Sequence, residues 1–498
     1  MSEIMELQEL QKKDQEEKDS RNSTTKVRDL ILNQDIELGY DEEFNGFVKR
    51  RVQEHYEVYP LQSRQFHDFV YELYDDTFNS VLAKSIYESV LESLSARARI
   101  KGEQQTMALR TAKYENTVYL NLCDDGWNII EIDKDGWRIV KDCPIWFYRK
   151  DDMDRLPTPK MTKERDIELL KKYVNYEKEA DFDLMVSFLL SCFMFRTSRP
   201  ILILQGGAGV GKSFTSEILR SVVDPARNKK SISRAKPTTD SIAIDVSHQA
   251  VLVYDNFSSG AVTAEVSDMF CTIATNQTYS KRALYTNNDE VIVRLGRPVI
   301  INGIDDLAKR QDLLDRSIVL DLPHLESRQT EEELRTSFKD DLPAILGHLL
   351  NCIVDSLKHA GKSDYNESRM SDFGQMVENA HTALKWHEGY FRGIYQDNRQ
   401  KATFATIETN PFIQGIIELM KNKEKRRFKK TDLIEEIKSL ETYDRYDTQK
   451  GVIPTARKVS ERLRRDSPLL KTAGISYEEK TLDGRLIVEF TNSYFQVG

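Results

Sequence analysis

The sequence lacks most of the features that mark secreted or membrane proteins. Its longest dense apolar run, Val186–Phe195, is about half as long as a segment that spans a bilayer. The first twenty residues are charged and contain no apolar core of the kind found in secretory signals. The cysteines are few, odd in number and without paired spacing: Cys123, Cys143, Cys192, Cys271 and Cys352. This excludes a disulfide framework and a cysteine-based zinc ribbon, and we expect a cytoplasmic protein.

Charge is distributed unevenly along the chain. The 498 residues are 39% hydrophobic and 31% charged, with a formal net charge of −9. Residues 411–490, in contrast, contain 18 basic and 14 acidic side chains. A mildly basic end on an acidic body is compatible with nucleic-acid binding, although a solvated surface gives the same pattern.

Length and periodicity predict several domains. Helical spacing of apolar residues dominates 60–105, short strands follow from Thr117, and strands alternate with helices beyond 163. Two Asp-Gly-Trp triplets ten residues apart indicate the turns of a small meander. The expected units are a charged flexible leader (1–26), a helical N-terminal domain (27–110), a small β-meander (111–160), an α/β domain (163–355), a helical lid or linker (356–404) and a C-terminal unit (405–490).

The strongest signal is the segment GGAGVGKS, which fits the pattern G-x-x-x-x-G-K-[ST] between an apolar strand and a helical run. Glycines allow backbone N–H groups to point at phosphate oxygens, and the helix N-terminus adds partial positive charge. Lys212 is predicted to reach the β- and γ-phosphates, and Ser213 to bind Mg²⁺. The alternative is a glycine-rich turn that binds nothing. The predicted nucleotide site consists of Gly206, Gly207, Ala208, Gly209, Val210, Gly211, Lys212, Ser213 and Phe214.

Three further residues are expected to complete a hydrolytic site. Asp255 ends the apolar strand VLVY and is placed to hold the metal opposite the loop serine; the alternative is an ordinary strand-terminal aspartate. Asn302 ends the strand PVII, where an amide can orient the attacking water. Arg316 precedes the strand SIVLDL and is placed to reach a nucleotide on a neighbouring copy; the alternative is an ion pair with Asp312 or Asp315.

Four segments resemble the Walker A, Walker B, sensor 1 and arginine-finger elements of AAA+ ATPases: GGAGVGKS, VLVYDN, PVIING and LLDRSIVLDL. Their spacing resembles superfamily 3 and MCM-like helicases. The segments KRALYT and NGIDDLAKRQDLLDR are similar to replication proteins of phages and of staphylococcal pathogenicity and cassette islands. The likeness covers most of residues 110–490. It implies an α/β AAA+ P-loop ATPase core with an N-terminal α+β region and a C-terminal winged helix. It also implies a homo-oligomeric ring, with six subunits as the expected number, that uses ATP and Mg²⁺.

One position departs from the AAA+ pattern. These enzymes usually place a carboxylate after the Walker B acid as general base, whereas this chain has Asn256. An amide can position water but does not accept its proton. Either Glu265 or Asp268 accepts it, or a loose transition state does not need early proton removal. Asn256 is therefore included in the catalytic group, and the general base stays open.

Two regions carry the cations expected to contact DNA. Alternating stretches around residues 287–289 predict a β-hairpin, which in related ring helicases projects into the central channel; packing in a subunit interface is the alternative. The C-terminal unit has the order helix, helix, helix, strand pair, as in a winged helix, whose third helix would enter the major groove. Winged helices also bind proteins. The predicted DNA contacts are Lys281, Arg282, Arg294, Arg457, Lys458, Arg462, Arg464, Arg465, Lys480 and Arg485.

The resemblance and these motifs together predict an ATP-dependent DNA helicase and replication initiator of a mobile genetic element. Its partners would be single-stranded or forked DNA, origin duplex, further copies of the chain and a primase or other replication proteins. The alternative from another class is an ATP-switched DNA-binding regulator that assembles without unwinding, a hypothesis that Asn256 favours. A fused primase–helicase is disfavoured, because Asp75–Asp76 is the only adjacent acid pair in the helically spaced segment 60–105 and no zinc-ligand cluster accompanies it.

Overall fold

The structure is a computed structural model. It describes residues 23–161, 165–227, 237–258, 260–282, 290–304, 307, 310–325, 330–440, 453–482 and 485–494. Of the expected leader, only the last four positions are described, and they begin a helix at residues 23–32. In these described ranges no helix is long and apolar enough to cross a membrane.

The N-terminal region combines strands with helices, so the expectation of a helical domain over 27–110 is wrong. A sheet lies beside the helices Arg64–Phe78 and Lys84–Lys101, and Val48 of the sheet shares an apolar core with both. The strands were missed because their few buried residues are interrupted by charged ones, as in GFVKRRV. The sheet has three antiparallel strands and a short parallel one: Ile36–Tyr40, Gly46–Val52, His55–Pro60 and Glu103–Gln104.

A four-stranded antiparallel meander follows. Asp133 pairs with Gly136 across a tight turn, and Trp137 lies in the apolar core beneath the sheet. Its strands, in spatial as in chain order, are Thr111–Tyr114, Thr117–Asn121, Ile129–Asp133 and Gly136–Val140. A separate pair of short parallel strands, Met107–Ala108 and Trp146–Phe147, flanks it.

The central part of the chain is a parallel sheet with helices, which confirms the mixed α/β class. The strand Ile201–Gln205 lies between Val299–Gly303 and Ser317–Asp321, and Leu252–Phe257 lies outside Val299–Gly303. All carboxyl ends therefore meet at one edge. An antiparallel hairpin of Thr278–Arg282 and Glu290–Arg294 forms a separate two-stranded sheet, and its Tyr279 and Val293 pack against the central apolar core. The surrounding helices are Asp166–Lys172 (3₁₀), Glu179–Ser191, Lys212–Val223, Thr239–His248, Ala264–Ala274, Gln311–Leu314 and Glu331–Lys358.

A buried ion pair ties the meander to the parallel sheet. Arg110 Nε lies 3.1 Å from Asp224 Oδ1, and the two side chains are 0% and 1% exposed. The other Asp224 oxygen accepts from the backbone N–H groups of Ala250 and Val251, at the entrance to the second strand. Removing one partner of such a pair costs about 3–5 kcal/mol of folding free energy. This link fixes the meander against the end of the helix Lys212–Val223.

Helices continue across two expected domain boundaries. The expected limit at 355 falls inside Glu331–Lys358, and the one at 404 falls inside Tyr390–Thr409. Neither limit therefore coincides with a loop. The packing nevertheless changes near the second limit, because Phe391 and Tyr395 belong to the core of the central part and Ile407 belongs to the core of the C-terminal unit. The shorter helices Ser371–Asn379 and His381–Leu384 lie between the two long ones.

The C-terminal unit has its own apolar core. It contains three strands instead of the expected pair, because Lys425–Lys429 joins the sheet beside Arg485–Asn492. That strand was read only as a run of cations, yet its Phe428 is buried. The elements in chain order are Pro411–Met420, Lys425–Lys429, Lys430–Ser439, Ala456–Lys458 (3₁₀), Val459–Thr472, Ile475–Leu482 and Arg485–Asn492.

Candidate functional site

The phosphate-loop motif forms the turn between the strand Ile201–Gln205 and the helix Lys212–Val223. Gly206 has a φ of 144°, and a Cβ atom there would lie 2.8 Å from the carbonyl oxygen of Leu322, so only glycine fits. Gly209 and Gly211 have φ of 76° and 79°. The residues Gly206–Phe214 thus occupy one continuous loop and helix N-terminus, the geometry that binds anions.

Lys212 points back at its own loop. Its Nζ donates to the carbonyl oxygens of Gly206 at 2.9 Å and Gly207 at 2.6 Å. Partial burial lowers the pKa of Lys212, while the nearby Asp255 carboxylate opposes that shift. The ammonium group therefore has weak neutral partners that phosphate oxygens can replace.

The strand ends bring the other predicted residues to the same place. Ser213 Oγ donates to Asp255 Oδ1 at 2.7 Å. Asn302 is buried, and its Nδ2 donates to Ser216 Oγ at 2.8 Å while its Oδ1 accepts from the N–H of Asn256 at 3.0 Å. The Asn302 amide thus connects the phosphate-loop helix to the tip of the neighbouring strand.

Asn256 occupies a special backbone position. The register between the strands shifts after Tyr254, and Asn256 has a φ of 56° with an exposed side chain. Asparagine tolerates this left-handed conformation better than most residues. The residue type at 256 therefore has a backbone cause besides any catalytic one, a signal that the sequence pattern did not reveal.

The two acids considered as general base differ in their contacts. Asp268 Oδ1 lies 2.8 Å from Arg310 Nη2, so its carboxylate is neutralised by an ion pair. Glu265 lies in the first turn of the helix Ala264–Ala274, where its Oε2 accepts a long 3.4 Å hydrogen bond from Thr263.

Arg316 lies at the start of the strand Ser317–Asp321 and points along the preceding helix. Its Nη1 donates to the Asp312 carbonyl at 2.6 Å and lies 3.9 Å from the Asp312 carboxylate. The ion pair considered as the alternative for Arg316 is thus present, though long. Asp315 instead lies 3.6 Å from Arg399.

The hairpin cations divide into two groups. Lys281 and Arg282 end the strand Thr278–Arg282, and the tip at 283–289 lies outside the described residues. Arg294, on the second strand, forms an ion pair with Glu42 of the N-terminal region. The same carboxylate also binds Arg196.

The C-terminal cations also differ in their contacts. Arg457 and Lys458 lie in an exposed 3₁₀ turn, and Arg464 is exposed on the helix Val459–Thr472. Arg485 begins the last strand. The remaining three are bound by acids: Arg462 (2.6 Å) and Arg465 (3.3 Å) share the buried Asp466, and Lys480 lies 2.7 Å from Glu489.

Two adjacent stretches match family models. Residues 167–396 match the actinomycete integrative conjugative element replication protein, and residues 412–493 match the AICE RepA C-terminal domain. Over these stretches the chain is similar to replication proteins of a mobile element. The first stretch contains the whole nucleotide-loop cluster and Arg316, and the second contains the C-terminal unit.

Two solved structures are similar at low identity. The apo structure of the NrS-1 C-terminal region has 11% identity and a TM-score of 0.40, with 94% of this chain and 98% of that chain covered. The structure described as SCCmec type IV Cch, active helicase, has 13% identity and a TM-score of 0.41, with 77% of each chain covered. Likeness at this level does not establish a common fold. No curated protein matches the sequence at a significant level.

Two residues that contact the phosphate-loop motif or the helix after it were not predicted from the sequence. Asn175 Nδ2 donates to the carbonyl oxygens of Val210 at 2.9 Å and Pro323 at 2.7 Å, so it fixes the loop from outside. Arg335 forms an ion pair with Glu217 and lies 5.2 Å from the centre of the Phe214 ring. Neither belongs to a motif, and only the folded chain brings them to the loop.

Proposed function

We propose that the chain is an ATP-dependent DNA helicase and replication initiator of a mobile genetic element, with an AAA+ core and a C-terminal winged helix. One observation carries the proposal: the contact of Ser213 with Asp255 beside the phosphate loop, joined through Asn302 to the adjacent strand tip. The similarity to replication proteins of integrative conjugative elements supports the DNA-related part.

The residues fit Mg²⁺. Ser213 and Asp255 offer a hydroxyl and a carboxylate oxygen 2.7 Å apart at a helix N-terminus, and this ion commonly takes one or two protein oxygens together with water and phosphate oxygens. These two residues would hold the ion. When bound, it neutralises charge on the phosphate oxygens.

The protein's own residues would divide the remaining work. The loop N–H groups and Lys212 bind and orient the phosphates, and Lys212 exchanges its contacts with Gly206 and Gly207 for phosphate oxygens. Asn302 acts as a positioning residue, since both ends of its amide already hold Ser216 and the backbone of Asn256. The general base is left open, because Asp268 is paired with Arg310.

The proposal that copies of the chain assemble rests on Arg316. Its guanidinium contacts Asp312 of its own chain through one short hydrogen bond and one long ion pair. We propose that it reaches the nucleotide of the next copy in a ring of six copies. There it would stabilise charge in the transition state. The ring would encircle DNA, with the hairpin and the C-terminal unit as contact regions.

A second function has specific support. Asn256 stands where AAA+ enzymes usually place a carboxylate, and one of the two substitute acids is neutralised. An ATP-switched DNA-binding regulator would need assembly but little hydrolysis. The two functions differ in whether a strand is displaced.

The test uses the full chain, ATP, Mg²⁺ and a forked duplex with one labelled strand. We expect strand release that depends on ATP and is lost in Lys212→Ala, together with ring-sized particles by mass photometry. Assembly and DNA binding with no strand release would favour the regulator. A single inert copy under all conditions would reject both functions.

A further inference from the structure

A cavity of about 240 Å³ lies between the central α/β part and the C-terminal unit. Its wall comes from the start of the helix Gln311–Leu314, the segment before Ser371–Asn379 and the helix Val459–Thr472. Four arginine residues from these three places line it: Arg310, Arg369, Arg464 and Arg465. Residues 310, 369 and 464 are far apart in the sequence, so the fold itself concentrates positive charge here.

The carboxylates in the wall do not balance this charge. Asp312 and Asp315 line the cavity, but each is engaged by an arginine outside the lining, Arg316 at 3.9 Å and Arg399 at 3.6 Å. Each carboxylate is therefore shared between the cavity and another cation.

The four arginines differ in how far they are neutralised. Arg310 is paired with Asp268 at 2.8 Å, and Arg465 shares Asp466 with another arginine. Arg369 and Arg464 are exposed, and neither has a carboxylate within 4.0 Å among the described residues. Two uncompensated guanidinium groups therefore face one cavity, where like charges repel unless an anion joins them.

We infer that this cavity binds a phosphate group, with Arg369 and Arg464 as its main contacts. A guanidinium group can donate two parallel hydrogen bonds to phosphate oxygens, which a point charge does not. Because the arginines come from separate segments, they can contact a phosphate group from different sides. The phosphate can belong to a DNA backbone, since Arg464 lies on the proposed recognition helix. It can also belong to a nucleotide on a neighbouring copy, since the cavity wall directly precedes Arg316. The site itself does not depend on ATP hydrolysis; only the second source rests on the proposed function.

The first experiment measures the site without hydrolysis. Inorganic triphosphate is titrated calorimetrically into full-length Lys212→Ala, in which the phosphate loop is weakened, and into the same chain carrying Arg369→Gln and Arg464→Gln. We expect the double substitution to weaken binding at least about tenfold, because each charged hydrogen bond to phosphate contributes substantially. Equal binding by both proteins overturns the inference.

Two controls keep this result specific. Arg64→Gln with Arg97→Gln removes two exposed arginines of the N-terminal helices and so matches the change in charge; it should leave triphosphate binding within about twofold. Arg369→Lys with Arg464→Lys keeps the charge but not the fork, and should bind with intermediate affinity. A loss of the same size in the N-terminal pair would show a general charge effect and reject the site.

The two sources of the phosphate are distinguished with protein that carries only the Arg369→Gln and Arg464→Gln substitutions. If the arginine pair binds DNA, the Gln substitutions lower forked-duplex affinity without nucleotide and reduce its salt dependence. If it binds a neighbour's nucleotide, they lower ATP turnover without DNA. Loss of triphosphate binding alone supports a site for a free phosphate compound. If the chain hydrolyses no ATP at all, the proposed function fails while the triphosphate titration still decides the site.

Discussion

The nucleotide loop and the candidate DNA-binding cations differ in what their side chains contact. At the nucleotide loop, predicted residues contact one another, as Ser213 does with Asp255. Among the cations, several contact acids that no prediction included, as Arg294 does with Glu42. Motif residues converge, whereas charges are often neutralised by their surroundings.

The difference has a physical origin. A parallel sheet brings every strand's carboxyl end to one edge, so residues at strand ends meet whatever the rest of the chain does. The use of a cation depends instead on its nearest acids, which any part of the chain can supply. Sequence position therefore determines the first kind of site far better than the second.

Arg316 is the sharpest test of this comparison, because it is a cation assigned to the nucleotide loop. We expect Arg316→Ala to lower ATP turnover by about 10³ with nucleotide binding retained, since it removes charge stabilisation needed only in the transition state. Steady-state hydrolysis and a fluorescent-nucleotide titration measure the two effects separately.

The control for Arg316 is a mixture of variants. Arg316→Ala and Lys212→Ala, each with strongly lowered turnover alone, should regain part of the turnover when mixed. Some interfaces between neighbouring copies then combine an intact phosphate loop with an intact arginine. If no mixing ratio restores turnover, Arg316 does not act on a neighbouring copy, and its contact with Asp312 is its role.

Asp255→Asn tests the convergent site itself and should lower turnover by about 10². The change keeps the shape of the side chain but removes the charge that fits Mg²⁺. Asp321→Asn is the matched control, because Asp321 also ends a strand of the same sheet yet pairs with Lys401 at 3.4 Å. Equal losses in both variants would make Asp255 an ordinary strand-terminal aspartate.

Much of the central fold was predictable from the sequence. Strands were expected directly before the phosphate loop, at VLVY and at PVII, and they are observed as Ile201–Gln205, Leu252–Phe257 and Val299–Gly303. Apolar runs that end in a polar residue carry this information locally. The bulge at Asn256 was not predictable, because it arises from a register shift against the next strand.

Some of the ion pairs formed by these cations could also be predicted from the sequence. Arg462 and Asp466 are four positions apart on a helix, a spacing that brings side chains together. Lys480 and Glu489 lie on the two strands of one hairpin. The pairing of Glu42 with Arg294 was not readable, because 252 positions separate the residues.

Glu42→Gln tests a cation whose acidic partner is distant in the sequence. The change releases Arg196 and Arg294 from a shared carboxylate, and we expect single-stranded DNA to bind about two- to fivefold more tightly, the scale of a partly exposed ion pair. Fluorescence anisotropy at low salt measures this. Glu37→Gln, an exposed acid of the adjacent strand, should change affinity little; an equal gain there would reduce the effect to net charge.

Glu489→Gln gives the smallest expected effect. The Lys480 and Arg427 side chains hold the pKa of Glu489 at about 2, well below its ordinary value near 4.5. The contribution of this carboxylate to stability is therefore complete above about pH 4.5 and is lost only as the pH falls toward 2. Mild acidification therefore does not release Lys480 from Glu489, and substitution is required. Glu478 also lies 2.8 Å from Lys480 Nζ, so Glu478→Gln must accompany the change. With both acids removed, the slope of log affinity against log salt should steepen by about one unit for duplex DNA. An unchanged slope would show that this part of the C-terminal unit faces away from DNA.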